Sequence, residues 1–458
     1  MEHEHPESKI TTARAIISIA VCKFLRRILR IMGHGGTNLP GKAALRICPN
    51  ILTLTASGIR TIIVSGTNGK TTTCRLIEQG LKTSGISLFS NRSGANLLAG
   101  IITEYASNAK WNGVPKKTTA VIECDEAALK LVLDYISPEV IVLTNVFRDQ
   151  LDRNGEMETL IQKINGFCKN FEGNLILNGD DPNTARLGRA NEKNKNVKYF
   201  HAKPYAFATD TIFEASEGRF CPFCGEPLEY EYYQYSHIGK FSCKKCGFGD
   251  YEPYITAENI DLEKSVFTAD SHEYSPQLNS IYNIYNMTAV AAAAKLYSIP
   301  EKITDNVISK YTINNGRMET FMLGDRKATL NLAKNPVGAN MTLRVMNEMQ
   351  TEKELLFVLN DNIADGLDVS WIWDINFSVF DRVTRVVTSG TRAHDIAVRI
   401  KCSGYPADNI TVRPDLDEAV AELAKTEGRK FVIANYTAVQ PTRSALKRYA
   451  EKHGGKNE

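Results

Sequence analysis

Short apolar segments alternate with helix-length segments along most of this 458-residue chain. Apolar runs bounded by polar or turn-forming residues predict buried strands in both halves. The repeated order of strand, helix and strand predicts an α/β fold with parallel sheets and helices on both faces. The predicted strands are 61–65, 119–123, 140–145 and 174–178, and then 328–332, 355–359, 385–389 and 430–434.

The chain is longer than one ordinary hydrophobic core accommodates, so we expect several domains. We predict an N-terminal helix with a connector over 1–50, a central domain over 51–322 and a smaller α/β C-terminal domain over 323–458. Residues 213–253 interrupt the central pattern because they are rich in Cys, Tyr, Gly and Phe. This segment is predicted to form a small inserted module.

Residues 15–32 combine apolar positions at helical spacing with several basic residues. The pattern predicts an amphipathic helix, since it contains too many charges for a membrane-spanning segment or a secretory signal peptide. Such a helix either lies on an anionic membrane surface or packs on the chain's own core. The apolar positions are Ile17, Val21, Phe24, Ile28 and Ile31, and the basic ones are Lys23, Arg26, Arg27 and Arg30.

The formal net charge is +3, from 55 Lys and Arg against 52 Asp and Glu, which gives no global field for holding nucleic acid. Most cysteines outside the inserted module are scattered singly beside apolar residues, as in proteins of a reducing cytosol. We therefore expect a cytoplasmic protein without nucleic-acid partners. The N-terminal helix is the candidate for contact with the inner face of a membrane.

The segment from Gly66 to Thr72 stands between a predicted strand and a predicted helix, which is the position of a phosphate-binding loop. Glycines let the backbone wrap around phosphate, and the helix N-terminus supplies free N–H groups. Lys70 is expected to act catalytically on the β- and γ-phosphates of ATP, and the Thr71 hydroxyl to ligate Mg²⁺. The match is partial, because Val64 stands at the position of the first glycine of the strict pattern. The candidate nucleotide-binding residues are Gly66, Thr67, Asn68, Gly69, Lys70, Thr71 and Thr72.

Glu123 ends the predicted strand 119–123, so it is expected at the carboxyl edge of the sheet, where ligands bind in open α/β folds. We predict that Glu123 is a magnesium ligand. The alternative is that it caps a helix together with Asp125 and Glu126.

Four cysteines of the inserted module form two CxxC pairs, each followed closely by glycine. This spacing is typical of a zinc ribbon, in which four thiolates hold a structural Zn²⁺ and leave no open position for a substrate. Ordinary buried cysteines or redox pairs are the alternative. The predicted zinc ligands are Cys221, Cys224, Cys243 and Cys246.

Several linked motifs resemble the Mur ligases. SGTNGKTTT, the strand-terminal Glu123, TNVFRDQLDRNGE, LNGDDP, YNIYN and GRME occur in the order seen in that family, from about Ile51 to the C-terminus. The resemblance implies that Asn286 and Arg317 contact the nucleotide. Most Mur ligases have a histidine where this chain has Gln150, which puts a second metal site of the usual kind in doubt. About fifty residues precede the ATPase core, and this suggests a substrate without UDP.

The C-terminal region resembles the MurT branch of that family. It has no aspartate-bearing motif for an incoming amino acid, and has LAKNPVGAN and the loop NDNIADGLDVSWIWD (360–374) instead. MurT-type ligases pair with a glutaminase, GatD, as a heterodimer. The resemblance implies that GatD releases ammonia from glutamine, while this chain phosphorylates the D-glutamate α-carboxylate of lipid II for attack by ammonia.

The resemblance further implies that an aspartate of loop 360–374 completes the Cys–His pair of the glutaminase. We expect Asp365, with Asp361, Asp368 and Asp374 as rivals. Some of these aspartates are expected only to cap turns, for example at Gly366. The two tryptophans of the loop, Trp371 and Trp373, are expected in the core or at an interface.

Two other functions remain open from the sequence. One is a stand-alone ligase that adds an amino acid, similar to folylpolyglutamate synthase, but the amino-acid motif is missing. The other is a noncatalytic scaffold that binds nucleotide, which Lys70, Thr71 and Glu123 argue against.

Overall fold

The computed structural model describes residues 7–33, 37–91, 95–147, 157–190, 195–211, 218–277, 280–312 and 318–453. The chain divides into two compact units. Of the described residues, those within 1–146, 158–210 and 218–311 form the first unit, and those within 312–458, 147–157 and 211–217 belong to the second.

The first unit is an α/β layer structure around one large sheet. Its helices are α1 (Glu7–Ile31), α2 (Asn38–Ile47), α3 (Ile51–Ala56), α4 (Lys70–Thr83), α5 (Leu98–Asn108), α6 (Glu126–Leu133), α7 (Met157–Cys168), α8 (Pro182–Arg189), α9 (Ile281–Leu296) and α10 (Glu301–Ser309). Its strands are β1 (Arg60–Ser65), β2 (Leu88–Ser90), β3 (Thr119–Glu123), β4 (Val140–Leu143), β5 (Asn174–Asn178), β6 (Val197–Ala202), β7 (Glu229–Tyr235), β8 (Ile238–Ser242), β9 (Pro253–Asp261), β10 (Val266–Ala269) and β11 (His272–Tyr274).

The large sheet has the strand order β11-β10-β9-β6-β5-β4-β1-β3-β2. From β9 to β2 all neighbours are parallel, and β10 and β11 extend the edge as an antiparallel pair. Ile62, Ile63 and Val64 on β1 are fully buried, as expected for a parallel strand that is covered on both faces. The predicted α/β class is confirmed.

Strand β4 ends two residues before the predicted end at Asn145. Thr144 and Asn145 leave the ladder because they form hydrogen bonds with the loop after β1: the Thr144 hydroxyl donates to Asn68 O at 2.6 Å. Helix α4 begins at Lys70, within the segment 66–72 that was predicted to precede it, directly after Gly69 in the left-handed conformation.

Helix α1 packs on α2 and α5. The Ser18 hydroxyl donates to Ala44 O at 2.8 Å, and the Lys23 amine donates to Ala109 O. Arg26 forms an ion pair with Glu104. Helix α1 therefore packs on the chain's own core, which was one of the two interpretations from the sequence. No helix in the described part of the chain has the length and apolarity that crossing a membrane requires.

The second unit has a six-stranded sheet in the order β12-β13-β17-β14-β15-β16. Every pair is parallel except β12 and β13, which are antiparallel. Its strands are β12 (Glu319–Leu323), β13 (Arg326–Leu332), β14 (Lys353–Val358), β15 (Val383–Ser389), β16 (Ile410–Val412) and β17 (Arg429–Ala434). Its helices are α11 (Pro336–Glu348), α12 (Ala393–Cys402), α13 (Leu416–Leu423) and α14 (Val439–Lys452), with short 3-10 turns at Ser370–Asp374, Phe377–Val379 and Ala407–Asn409.

Alternate residues of the central strands face two separate apolar cores in this unit. Leu356 packs in the core that contains Leu446 of α14. Leu355 and Phe431 pack in the opposite core, with Leu343 of α11. The sheet is therefore covered by helices on both faces.

Gly41 of α2 lies against the backbone of α5, because an added Cβ there would lie 1.7 Å from Ala99 O. We expect Gly41→Ala to destabilise the first unit by about 1–3 kcal/mol, because the helices must separate. The urea midpoint measures this loss. Gly166→Ala is the matched control, since an added Cβ there meets nothing within 4 Å. That variant should be neutral or more stable by about 0.5–1 kcal/mol, and equal loss in both variants would contradict the packing argument.

Candidate functional site

The loop between β1 and α4 has two glycines with positive φ, 127° at Gly66 and 84° at Gly69. A Cβ at Gly66 would lie 2.4 Å from the Thr144 hydroxyl oxygen, and a Cβ at Gly69 would lie 2.0 Å from Asn286 Oδ1. Both positions therefore require glycine for conformation and for space. The backbone can therefore turn tightly into the N-terminus of α4, which is where such loops hold phosphate.

The loop is held by the residues that follow β4. Thr67 N donates to Asn145 O and Asn68 N donates to Asn145 Oδ1, both at 2.9 Å. The Thr144 hydroxyl and the Asn145 amide both donate to Asn68 O. Thr144 and Asn145 were not predicted as residues of the site. The signal that could have found them is a Thr–Asn pair directly after a buried strand, at the edge where the loop was predicted.

Lys70 is buried at the first turn of α4. Its amine donates to Gly66 O, to Thr67 O at 3.0 Å and to Glu126 Oε2 at 2.8 Å. Burial by itself lowers the pKa of Lys70, but the charges of Glu126 and Asp125 outweigh it, so the pKa is raised. Lys70 is therefore a cation at neutral pH, at a position where phosphate charge needs neutralising.

Asp125 and Glu126 have different roles. The Asp125 carboxylate caps α6 by accepting from Ala127 N at 3.1 Å. Glu126 is buried and forms the ion pair with Lys70. From the sequence Glu126 was expected only as a possible capping acid, because no local pattern indicates which distant lysine it contacts.

Glu123 ends β3 and pairs in register with Val64 of β1. Its backbone is held by Asn91, which accepts from Glu123 N at 2.9 Å and donates to Glu123 O at 2.7 Å. Its carboxylate accepts from Asn96 Nδ2 at 3.3 Å. A carboxylate oxygen fixed in this way suits Mg²⁺, and magnesium binding by Glu123 stays a prediction. Asn91 and Asn96 were not predicted as part of the site.

Asn286 lies on α9 with its side chain against Gly69, and its amide donates to Asn283 Oδ1 at 3.3 Å. Thr71 is partly exposed in the first turn of α4, whereas Thr72 is buried. The structure thus brings the loop, Lys70 and Asn286 to one edge of the sheet. Arg317 and Gln150 lie outside the described residues.

The four cysteines of the inserted module come together, with all Sγ atoms within 4.8 Å of one another. Two knuckle turns shape the cluster: Gly225 N donates to Cys221 O at 3.0 Å and Gly247 N donates to Cys243 O at 2.8 Å. The Sγ atoms are 3.5 Å apart for Cys221 and Cys246. Tetrahedral zinc with bonds of about 2.3 Å places its sulfurs roughly 3.8 Å apart, so the four thiols fit Zn²⁺.

Arg189, on α8, contacts the cluster. Its guanidinium donates to Cys246 Sγ at 3.3 Å and to Cys246 O at 3.1 Å, and lies 4.6 Å from the centroid of the Phe223 ring. Burial raises the pKa of the Cys246 thiol. Hydrogen bonds with the Phe248 N–H, the Cys221 thiol and Arg189 outweigh burial, so that the pKa falls below that of an ordinary thiol, to about 6. A thiol that ionises readily favours metal binding. Arg189 was missed because it is 57 residues from Cys246 in sequence.

Family models match two parts of the chain: the Mur ligase middle domain over residues 64–294 and the MurT ligase C-terminal domain over residues 332–439. The MurT subunit of lipid II isoglutaminyl synthase (glutamine-hydrolyzing) from Staphylococcus aureus strain COL is 34% identical over 440 residues, which cover 95% of this chain and 98% of that protein. The chain belongs to the MurT family of Mur ligases. It is an ATP-binding ligase of the Mur type, as predicted.

Two further comparisons agree with this MurT assignment. The protein of the same name from Streptococcus pneumoniae strain R6 is 34% identical over 428 residues, which cover 92% of this chain and 94% of that protein. The solved structure of a pseudomurein peptide ligase type C from Methanothermus fervidus superposes with a TM-score of 0.65 at 22% identity, covering 85% of this chain and 79% of that one. This second likeness supports the fold.

Within the MurT-type C-terminal domain, loop 360–374 follows β14. Asp365 is 3% exposed, and its carboxylate accepts from the N–H and the hydroxyl of Thr437. Asp361 lies nearer the surface, 3.1 Å from Arg392 Nε. The Asp368 carboxylate accepts from Ser370 N at 2.7 Å, and this bond lowers its pKa.

Large apolar side chains around this MurT loop are exposed. Trp371 packs partly against the core, which was one of the two expected positions for the tryptophans. Trp373 is 55% exposed and lies beside Arg399. Several exposed large apolar side chains in one loop are typical of a surface that another protein covers. The other exposed members are Ile363 at 87%, Leu367 at 68% and Tyr436 at 57%.

We expect Cys243→Ser to abolish zinc binding, because three thiolates and a neutral hydroxyl do not replace a four-thiolate site. Metal analysis of the purified chain measures zinc per chain, and the variant should also melt at a lower temperature. Cys402→Ser is the control, since Cys402 is exposed and lies outside the cluster. A wild-type chain that binds no zinc would contradict the metal assignment.

We expect Thr144→Val to weaken ATP binding about 10-fold, or about 1.4 kcal/mol, because Asn68 O loses a hydrogen bond that holds the loop. Titration calorimetry with ATP and Mg²⁺ measures the change. Thr442→Val is the matched control, since its buried hydroxyl also donates to a backbone carbonyl, Ala438 O, at 2.8 Å, but in the second unit. An unchanged affinity in Thr144→Val would contradict the role of the β4 end.

Proposed function

We propose that this chain is the synthetase subunit of an enzyme that amidates the D-glutamate α-carboxylate of lipid II to D-isoglutamine, with ammonia from a GatD-like glutaminase in a heterodimer. The observation that supports this most strongly is a fully formed phosphate-binding loop with a buried cationic Lys70, in a chain whose C-terminal region matches the MurT model. The relatives that share this organisation over nearly their whole length are named as subunits of that synthase.

The proposed reaction has two steps. A carboxylate oxygen of the D-glutamate attacks the γ-phosphorus of ATP, and ADP leaves, which converts a poor electrophile into an acyl phosphate. Ammonia then attacks the carbonyl carbon, the bond to the phosphate oxygen breaks, and inorganic phosphate leaves as the nitrogen loses a proton. The acyl phosphate must be kept from water, because hydrolysis would waste it.

In this proposal Lys70 neutralises charge on the transferred phosphoryl group. Its amine exchanges the carbonyl of Gly66 or Thr67 for phosphate oxygens, while Glu126 keeps it protonated. Thr71 and Glu123 would hold Mg²⁺, which supplies further charge neutralisation on the phosphates. Asn286 and Arg317 would contact the nucleotide.

Asp365 is our candidate for the residue that serves the glutaminase. Its anchoring by Thr437 resembles the way in which a triad aspartate is fixed by donors so that it orients a histidine. Ile363 and Leu367 at the rim of the loop provide apolar area for the partner. We propose that the zinc ribbon is a structural module. Because lipid II is embedded in the membrane, we also propose that the enzyme works at the inner membrane face.

The decisive experiment follows lipid II amidation by mass spectrometry, with ammonium or with glutamine and a GatD-like partner. The wild type should use ammonium alone and should use glutamine only with the partner. Lys70→Ala should abolish both activities. No product under either condition, with ATP consumed only when a free amino acid is added, would contradict the proposal and favour a stand-alone ligase.

Asp365→Asn should lower the glutamine-dependent rate by up to about 10⁴-fold and leave the ammonium-dependent rate nearly unchanged, because the phosphorylation site is intact. The retained ammonium activity shows that the variant is folded. Asp361→Asn, Asp368→Asn and Asp374→Asn are the comparison set. If one of them loses glutamine use while Asp365→Asn keeps it, the assignment of Asp365 is wrong.

A further inference from the structure

Helix α1 has an inner and an outer face, and the outer face is apolar. Ala15, Ser18, Ile19 and Cys22 are buried where α1 packs on α2 and α5. The outer face is the stripe of apolar positions at helical spacing that the sequence analysis identified, and most of it is exposed rather than docked on the core. Its exposed members are Ile17 at 54%, Phe24 at 64%, Ile28 at 37% and Ile31 at 79%, followed by Met32 at 63%.

The basic residues of α1 are divided between the two faces. Lys23 and Arg26 turn inward to Ala109 O and Glu104. Arg14, Arg27 and Arg30 remain exposed, and the helical spacing puts Arg14 and Arg27 on the two borders of the apolar stripe. An apolar stripe bordered by cations is the arrangement that helices use at an anionic membrane surface.

The residues around α1 are also rich in positive charge. The chain contains no Asp or Glu from Ser8 to Ile77, so α1 beyond its first residue, Glu7, and all of α2 and α3 carry no acidic side chain. Lys42 and Arg46 of α2 are exposed as well. The local charge is strongly positive although the whole chain is nearly neutral. Charge complementarity therefore favours an anionic occupant.

The turn after α5 adds an aromatic anchor next to α1. Trp111 is 64% exposed, and the Lys23 amine lies 4.8 Å from the centroid of its ring. Val114, 47% exposed, and the exposed Lys110 and Lys116 belong to the same turn. Tryptophan with neighbouring lysines is enriched at the level of lipid headgroups, because the ring is apolar and its N–H is polar.

We infer that the outer face of α1, together with the Trp111 turn, binds the surface of a membrane that contains anionic lipid. The helix lies in the plane of the headgroups, with Phe24, Ile28 and Ile31 below them and Arg27 and Arg30 at the phosphates. Because α1 is already docked on α2 and α5, binding requires no coupled folding. The inference deepens the proposed function, since it identifies how the chain would reach a lipid-embedded substrate, but it describes a binding property that does not depend on catalysis.

Co-sedimentation of the full chain with vesicles tests this inference. Vesicles of phosphatidylglycerol and phosphatidylcholine should bind the wild type, and pure phosphatidylcholine should bind it at least 10-fold more weakly. The variant Phe24→Ser/Ile28→Ser/Ile31→Ser should lose at least 10-fold in affinity for the anionic vesicles. Its side chains are exposed, so folding should be retained, which the melting temperature checks. The matched control is Phe207→Ser/Leu131→Ser/Val398→Ser, three exposed apolar residues elsewhere, and it should bind like the wild type.

Three results would overturn the inference: no binding of the wild type to anionic vesicles, equal binding by the α1 variant, or loss of vesicle binding when a GatD-like partner is added, which would assign the face to a protein. Amidation of lipid II in detergent separates this test from the proposed function. The α1 variant should keep that activity. A wild type that binds vesicles but does not amidate would overturn the proposed function alone.

Discussion

The nucleotide-binding loop depends on hydrogen bonds from the end of the neighbouring strand β4. A turn with glycines at both ends has many accessible conformations, and Asn145 selects one by accepting from the N–H groups of Thr67 and Asn68. Because β4 lies next to β1 and parallel to it, its carboxyl end meets the loop at the same edge of the sheet. The order of strands in the sheet therefore determines the shape of the phosphate site.

Glu126 determines the charge state of Lys70 in the same loop region. A buried amine without a partner would lose its proton or destabilise the fold, and the ion pair with Glu126 prevents both. In the second unit Asp365 is likewise buried and fixed, by Thr437. The proposed function uses the two groups for separate chemistry, phosphoryl transfer at Lys70 and support of a partner's histidine at Asp365, and so explains why both are anchored.

Much of the fold was predictable, because buried parallel strands require continuous apolar runs such as 61–65 and 119–123. The phosphate loop was predictable because glycines and a lysine stand together in sequence. The contacts of Glu126 and Arg189 could not be predicted, because each residue contacts a partner more than fifty positions away and the sequence carries no local pattern for it. For α1 the sequence predicted amphipathicity but not which face is buried, because that depends on Glu104 and a backbone carbonyl of the turn after α5.

The central claim is that this chain activates the substrate by phosphorylating its carboxylate. The most direct measurement uses lipid II labelled with oxygen-18 in the D-glutamate α-carboxylate, with ATP, Mg²⁺ and ammonium, followed by mass spectrometry of the released phosphate and of the amide. If an acyl phosphate forms, one labelled oxygen should appear in inorganic phosphate for each amide formed. Unlabelled phosphate, or label that appears in AMP, would contradict the account.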